Sequence, residues 1–125
     1  MYELKVKSSF SAAHALRGYG VPCENLHGHN YKVEVIIKAS ALNSLGIAID
    51  FKLIKSYLED IFHEVDHKYL NELSMFREEN PSAEALARWI YNRLKAKVEK
   101  ENKSLSLEKV TVYETDNFSA AYSED

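Results

Sequence analysis

At Asp50 the apolar period of the chain changes from two to three-and-four, and this change constrains the fold more than any other feature of the sequence. Before it, two stretches alternate as half-buried strands do. From Tyr2 to Ala13, Leu4 and Val6 share one parity and Lys5 and Lys7 the other, with an irregularity expected at Ser8-Ser9. From Asn30 to Lys38, Tyr31, Val33, Val35 and Ile37 oppose Lys32, Glu34 and Lys38. After Asp50, which suits a helix N-cap, Phe51, Ile54, Tyr57, Leu58, Ile61, Phe62 and Val65 describe one helical face, predicting a helix from about Phe51 to about Glu64.

Ala39 to Gly46 reads as a connection, Ile47-Ala48-Ile49 as a short extended run, and Val65 to Glu79, which has no period, as a long connection. Asn80-Pro81 predicts the start of a second helix, capped by Asn80, with Leu86, Trp89, Ile90, Leu94 and Val98 on its apolar side. Leu105 to Glu114 alternates again, Leu107, Lys109, Thr111 and Tyr113 facing one way and Val110 and Val112 the other, and Phe118 to Ser123 reads as a closing strand. The order ββααββ predicts a single α+β domain over residues 1–125, a four-stranded antiparallel sheet with both helices on one face. Ile36 adds an apolar position to the other face, which is expected to serve oligomerisation together with the sheet edges. A small cupin barrel would also carry a His-x-His strand, but two helical stretches between strand pairs argue against it.

A balance of 16 basic and 19 acidic residues, net charge −3, supplies no field for holding nucleic acid or an anionic membrane. No apolar run has the length of a membrane span, and Met1-Tyr2-Glu3-Leu4-Lys5 lacks a signal-peptide layout, so the chain reads as cytosolic.

Chemistry concentrates in Cys23-Glu24-Asn25-Leu26-His27-Gly28-His29. His27 and His29, two apart on an extended backbone, point the same way. His14 shares the parity of Phe10 and Ala12 and offers a third imidazole at the end of the first strand. One histidine in such a place is ordinarily a hydrogen-bonded core residue. Three converging ones point to a metal, zinc by their nitrogen donors, with an open position that favours catalysis. Cys23, the only cysteine, is a buried small hydrophobe, an inert thiol or, beside a cation, a thiolate. Asp66-His67 can complete a proton relay in which the carboxylate orients the imidazole, although such pairs are mostly surface or capping residues. His63 reads as solvated or capping, Glu84 as complementing the second helix's dipole, and Glu114 as solvated unless a ligand offers a guanidine-like edge.

Phe10-Ser11-Ala12-Ala13-His14, Cys23 three residues before His27-Gly28-His29, Asp50-Phe51, Asp66-His67 with Leu70-Asn71, Asn80-Pro81-Ser82-Ala83-Glu84 and Glu114-Thr115 together resemble the 6-pyruvoyl-tetrahydropterin synthase and 6-carboxy-tetrahydropterin synthase family, over nearly the whole chain. The resemblance implies a tunnelling-fold subunit, assembled as trimers paired into hexamers with active sites between subunits. It implies zinc on His14, His27 and His29, proton transfer by Cys23, Asp66 and His67, and recognition of the pterin ring by Glu114 helped by Glu84. The implied substrate is 7,8-dihydroneopterin triphosphate and the implied product 6-carboxy- or 6-pyruvoyl-tetrahydropterin, the former serving queuosine synthesis.

Two departures stand out. Family members often carry Arg directly after the first zinc histidine, whereas here Ala15 follows and the nearest arginine is Arg17. A branch that cleaves the dihydroneopterin side chain to 6-hydroxymethyl-dihydropterin, for folate, places a glutamate in the cysteine loop, where this chain has Glu24. Glu24 is otherwise an ordinary exposed carboxylate. A zinc- or pterin-binding module without catalysis is the remaining alternative.

Overall fold

A computed structural model describes residues 1–20 and 24–124. The elements follow in the order β1 (Tyr2–His14), β2 (His27–Ala39), α1 (Phe51–Phe62), β3 (Lys68–Tyr69), two single-turn 3₁₀ segments (Leu70–Glu72 and Ser74–Phe76), α2 (Ala83–Glu99), β4 (Leu105–Thr115) and β5 (Phe118–Tyr122). They form the α+β layout the sequence predicts, with five strands rather than four, in the order β3-β1-β2-β4-β5. The extra strand, β3, lies inside the stretch without period and pairs two residues in parallel with Ala12 and Ala13. Two residues are too few to show an alternation.

β1 and β2 pair without interruption from Tyr2↔Ala39 to His14↔His27, so the irregularity expected at Ser8-Ser9 does not occur. Val6, Phe10 and Ala12 of β1 and Tyr31, Val33, Val35 and Ile37 of β2 are buried on the inner face, as their parity requires. On the outer face Lys5 and Lys7 face Glu34, and Lys38 faces Glu3, so charged pairs surround Ile36 there.

In β4 the parity expected from the sequence fails. Ile36 pairs with Lys109 and Ile37 with Leu107, leaving Glu108 as an extra residue in a bulge. The bulge returns Leu107 to the inner face beside Val110 and Val112, all three buried. A second irregularity, between Tyr113 and Thr115, leaves Glu114 outside the ladder with β5.

Asp50 caps α1, its carboxylate accepting from the Lys52 amide at 2.8 Å. Ile54, Leu58, Ile61 and Phe62 are buried, whereas Phe51, expected on that face, is exposed in the first turn. The cap of α2 is Ser82, accepting from the Ala85 amide, and not Asn80. Asn80 is drawn away to the chain after β1, where its side chain accepts from the Arg17 amide and donates to the Arg17 carbonyl. Ile47–Ile49 forms no strand, since Asn43 closes a turn on Leu45 and Ile47 instead. Buried Val65, Leu70 and Phe76 pin the connection between the helices. No helix of the described residues is long and apolar enough to cross a membrane.

Candidate metal centre and ligand cavity

Strand pairing assembles the site. His14 ends β1 directly opposite His27, and His29 pairs with Ala12, so the end of one two-strand ladder carries three imidazoles on its inner face. Their rings lie 4.5 to 5.1 Å apart, centre to centre. Tyr31, next on the same parity, backs them, its ring 5.3 Å from that of His29 and stacked on Phe10 at 5.0 Å.

The hydrogen bonds of the outer nitrogens settle the tautomers. His14 Nδ1 lies 2.7 Å from the Pro81 carbonyl oxygen, and His27 Nδ1 lies 2.7 Å from that of Asn25. A carbonyl only accepts, so each Nδ1 carries the proton and each Nε2 is left with its lone pair. These two lone-pair nitrogens face each other at 2.9 Å. Between neutral rings that contact is repulsive, and a cation held by both relieves it. His29 Nε2 is buried without an aligned hydrogen bond, although Glu114 Oε2 stands 2.9 Å from it, off the axis a hydrogen bond needs. One donor atom from each of His14, His27, His29 and Glu114 lies within 4.8 Å of the others.

Burial holds His14 below its ordinary imidazole pKa, opposed by the Pro81 carbonyl and Glu114 and reinforced by His27 and His29. Burial likewise lowers His29, against Glu114. Burial thus favours the neutral ring, the form in which an imidazole ligates a metal. The donor set, the two fixed tautomers, the facing Nε2 atoms of His14 and His27 and the unpartnered Nε2 of His29 all fit a zinc-type cation.

The cluster opens into a cavity of about 760 Å³, to which His27, His29 and Glu114 contribute, together with Glu84 from the first turn of α2. Glu114 joined the cluster without a sequence signal for it as a ligand. Its even parity with Val110 and Val112 was the available hint, obscured because Leu107 lies on the other side of the bulge.

Asp66 and His67 lie elsewhere. Asp66 Oδ1 accepts from the Ser11 amide at 2.9 Å, the His67 amide donates to the Ser11 carbonyl at 2.6 Å, and His67 Nδ1 stands 3.0 Å from Asp66 Oδ2. The Ser11 N–H, and then His67, hold the Asp66 carboxyl below its usual range. His67 has φ +59°, an uncommon conformation for a residue with a Cβ, and its side chain is 81% exposed. His67 lines a second depression with Gly28, His29 and Asn30, so that His29 is shared with the Glu114 cavity while neither Asp66 nor His67 lines that cavity. Cys23 lies outside the described residues. Glu24 is exposed, its amide donating to the Gly20 carbonyl, and it does not line the cavity. His63 is the exposed C-cap of α1.

Arg17 and Asn71, which the sequence marked only as a departure from the family and as part of its pattern, are structural residues here. The Arg17 guanidinium donates to the carbonyls of Asn71, Phe76 and Glu79, so it is committed to backbone rather than free for an anion. Asn71 accepts from the Ala15 amide and donates to the Ala15 carbonyl. With Asn80 it ties the chain after His14 to the segment carrying Pro81, and so holds the carbonyl that sets the His14 tautomer.

The sequence profile described as 6-pyruvoyl tetrahydropterin synthase matches residues 3–125. A 6-carboxy-5,6,7,8-tetrahydropterin synthase of Synechocystis is 32% identical over 75% of each chain. A dihydroneopterin monophosphate aldolase of Pyrococcus furiosus is 33% identical over 71% of each. The structure of a Caenorhabditis elegans 6-pyruvoyl tetrahydropterin synthase superposes with a TM-score of 0.87 at 26% identity, over 99% of this chain and 96% of that one. The chain belongs to the 6-pyruvoyl tetrahydropterin synthase family.

Proposed function

We propose that the protein is a zinc-dependent lyase that converts 7,8-dihydroneopterin triphosphate to 6-carboxy-5,6,7,8-tetrahydropterin, releasing triphosphate and a two-carbon aldehyde, in the cytosol and on the route to queuosine. The observation that carries this reading is the convergence of three imidazoles, two with proton-free Nε2 atoms facing each other, at the wall of a cavity that also holds Glu114. His14, His27 and His29 hold the metal. When bound, zinc supplies Lewis acidity to the substrate's side-chain hydroxyls. Glu114 accepts hydrogen bonds from the guanidine-like edge of the pterin, helped by Glu84. Cys23 takes up the proton, and Asp66 orients His67 to exchange it.

Because neither Asp66 nor His67 lines the Glu114 cavity of its own subunit, they serve a site completed by a second copy, in a hexamer of paired trimers. Arg17, bound to three carbonyls, has no part in holding the triphosphate.

A second reading, side-chain cleavage to 6-hydroxymethyl-dihydropterin, is favoured by the similarity to the Pyrococcus aldolase and by Glu24 in the cysteine loop. Mass spectrometry of the products formed from dihydroneopterin triphosphate by zinc-loaded protein separates the two. A 6-carboxy product supports the first reading and a 6-hydroxymethyl product the second, while tight pterin binding without product makes the protein a binding module. If neither Cys23→Ala nor Glu24→Ala lowers turnover, both enzymatic assignments fail.

A further inference from the structure

Two exposed aromatic side chains share the cavity of the histidine cluster. Tyr19 is 73% and Phe118 71% exposed, and both line the same space as His29 and Glu114. Scattered apolar residues on a surface are ordinary; two large rings beside one cluster of ligating groups are not. Neither ring is packed against another aromatic ring among the described residues.

Each ring is presented by local structure that holds it outward. Tyr19 sits between Gly18 at φ +73° and Gly20 at φ +105°, left-handed conformations that favour glycine. Phe118 opens β5 opposite Thr115, the residue after Glu114, across a turn in which the Asn117 amide donates to Thr115 Oγ1. The aromatic face therefore arrives on the same hairpin as the carboxylate.

A carboxylate that grips a heterocycle by its N–H edge lies in the plane of that ring and leaves the faces uncovered. We infer that Tyr19 and Phe118 form the stacking surface for a planar, bicyclic nitrogen heterocycle held by its edge at Glu114, and so determine ring binding separately from the chemistry at the imidazoles. This inference rests on the pterin reading above. The rings bind ground state and transition state alike, so removing either weakens binding and raises KM more than it lowers kcat.

The test titrates zinc-loaded full-length protein with neopterin, a phosphate-free pterin, following quenching of the pterin's fluorescence, and then measures kcat and KM on dihydroneopterin triphosphate. Tyr19→Ala and Phe118→Ala are compared with Tyr19→Phe and Phe118→Tyr, each checked for zinc content and for oligomer mass. Stacking of a nucleobase-sized ring sets the expected loss at about tenfold in neopterin affinity for each alanine variant, with the loss appearing in KM and recovery in the conservative variants. Equal neopterin affinity in wild type and alanine variants overturns the inference while leaving the pterin reading standing. A fall in oligomer mass accompanying the loss, unrescued by the conservative variants, also overturns it, since the rings then serve a contact between copies. Failure of the wild type to bind any pterin overturns the pterin reading and the inference with it.

Discussion

The two histidine-bearing regions of this molecule are built on opposite logic. At the His14–His27–His29 cluster, a buried His14 and a half-buried His27, their tautomers fixed by backbone carbonyls, and a half-buried His29 turn nitrogens toward one another and toward Glu114. At Asp66–His67 the polar groups are satisfied locally, by both backbone groups of Ser11 and by each other, and the imidazole projects from the surface. The first region draws its four candidate donor atoms from one chain. The second is pre-oriented and lines a neighbouring depression that meets the first only at His29. A group that must be held against lone-pair repulsion is buried in a strand ladder, and a group that must reach a separate surface is anchored by its backbone at a sheet edge.

The comparison breaks most severely at the cluster. His27→Ala removes one of the facing Nε2 atoms, and zinc affinity should fall at least about 100-fold, with turnover lost, as measured by metal analysis after dialysis and by product formation. Replacing His67 should act otherwise: His67→Ala lowers kcat about 10²- to 10⁴-fold while zinc content stays at the wild-type value. If the outward pair serves another subunit, mixing and reassembling His67→Ala with Cys23→Ala restores part of the activity. No recovery in verified mixed oligomers places all three residues in one subunit's site.

Glu114→Gln sharpens the assignment of that carboxylate. Retained zinc with pterin affinity down about 10- to 100-fold makes it a ring anchor, and loss of zinc makes it a fourth metal ligand. The clasp behind the cluster should matter less: Asn71→Ala leaves the Ala15 amide and carbonyl without their partner and should cost about 1–3 kcal/mol of stability, read as a lower denaturant midpoint with unchanged slope.

The smallest effect concerns acid. The Asp66 carboxyl has a folded pKa below its unfolded value, so its ionised form stabilises the fold above the unfolded pKa, and that stabilisation is lost as pH falls through the folded one. Comparing melting temperatures of wild type and Asp66→Asn should therefore show a difference near neutrality that closes at the acid end, below the usual carboxylate pKa. A difference that persists unchanged into acid would assign Asp66 a packing role instead.

Much of this was legible in the residues. Alternation placed His14, His27 and His29 on one face because a strand's side-chain direction is a local property of its own backbone, and the helical period with Asp50 as cap located α1 for the same reason. Short-range logic failed where a distant partner competed. Asn80 was the better cap by sequence, yet its amide is engaged by Arg17, 63 residues away along the chain, and Ser82 caps α2 in its place. β3 is defined by two pairings with β1 and by no pattern of its own.

The sequence by itself determined the layer architecture, the three imidazoles and their shared face, because those follow from periods of two and of three-and-four read along a single segment. Only the tertiary structure decided that Glu114 joins them and which nitrogen of each ring is free. The bulge at Glu108 is set by how β4 pairs with β2, and the carbonyl that holds the proton on His14 belongs to Pro81, 67 residues on. Both are contacts between segments that no local pattern encodes.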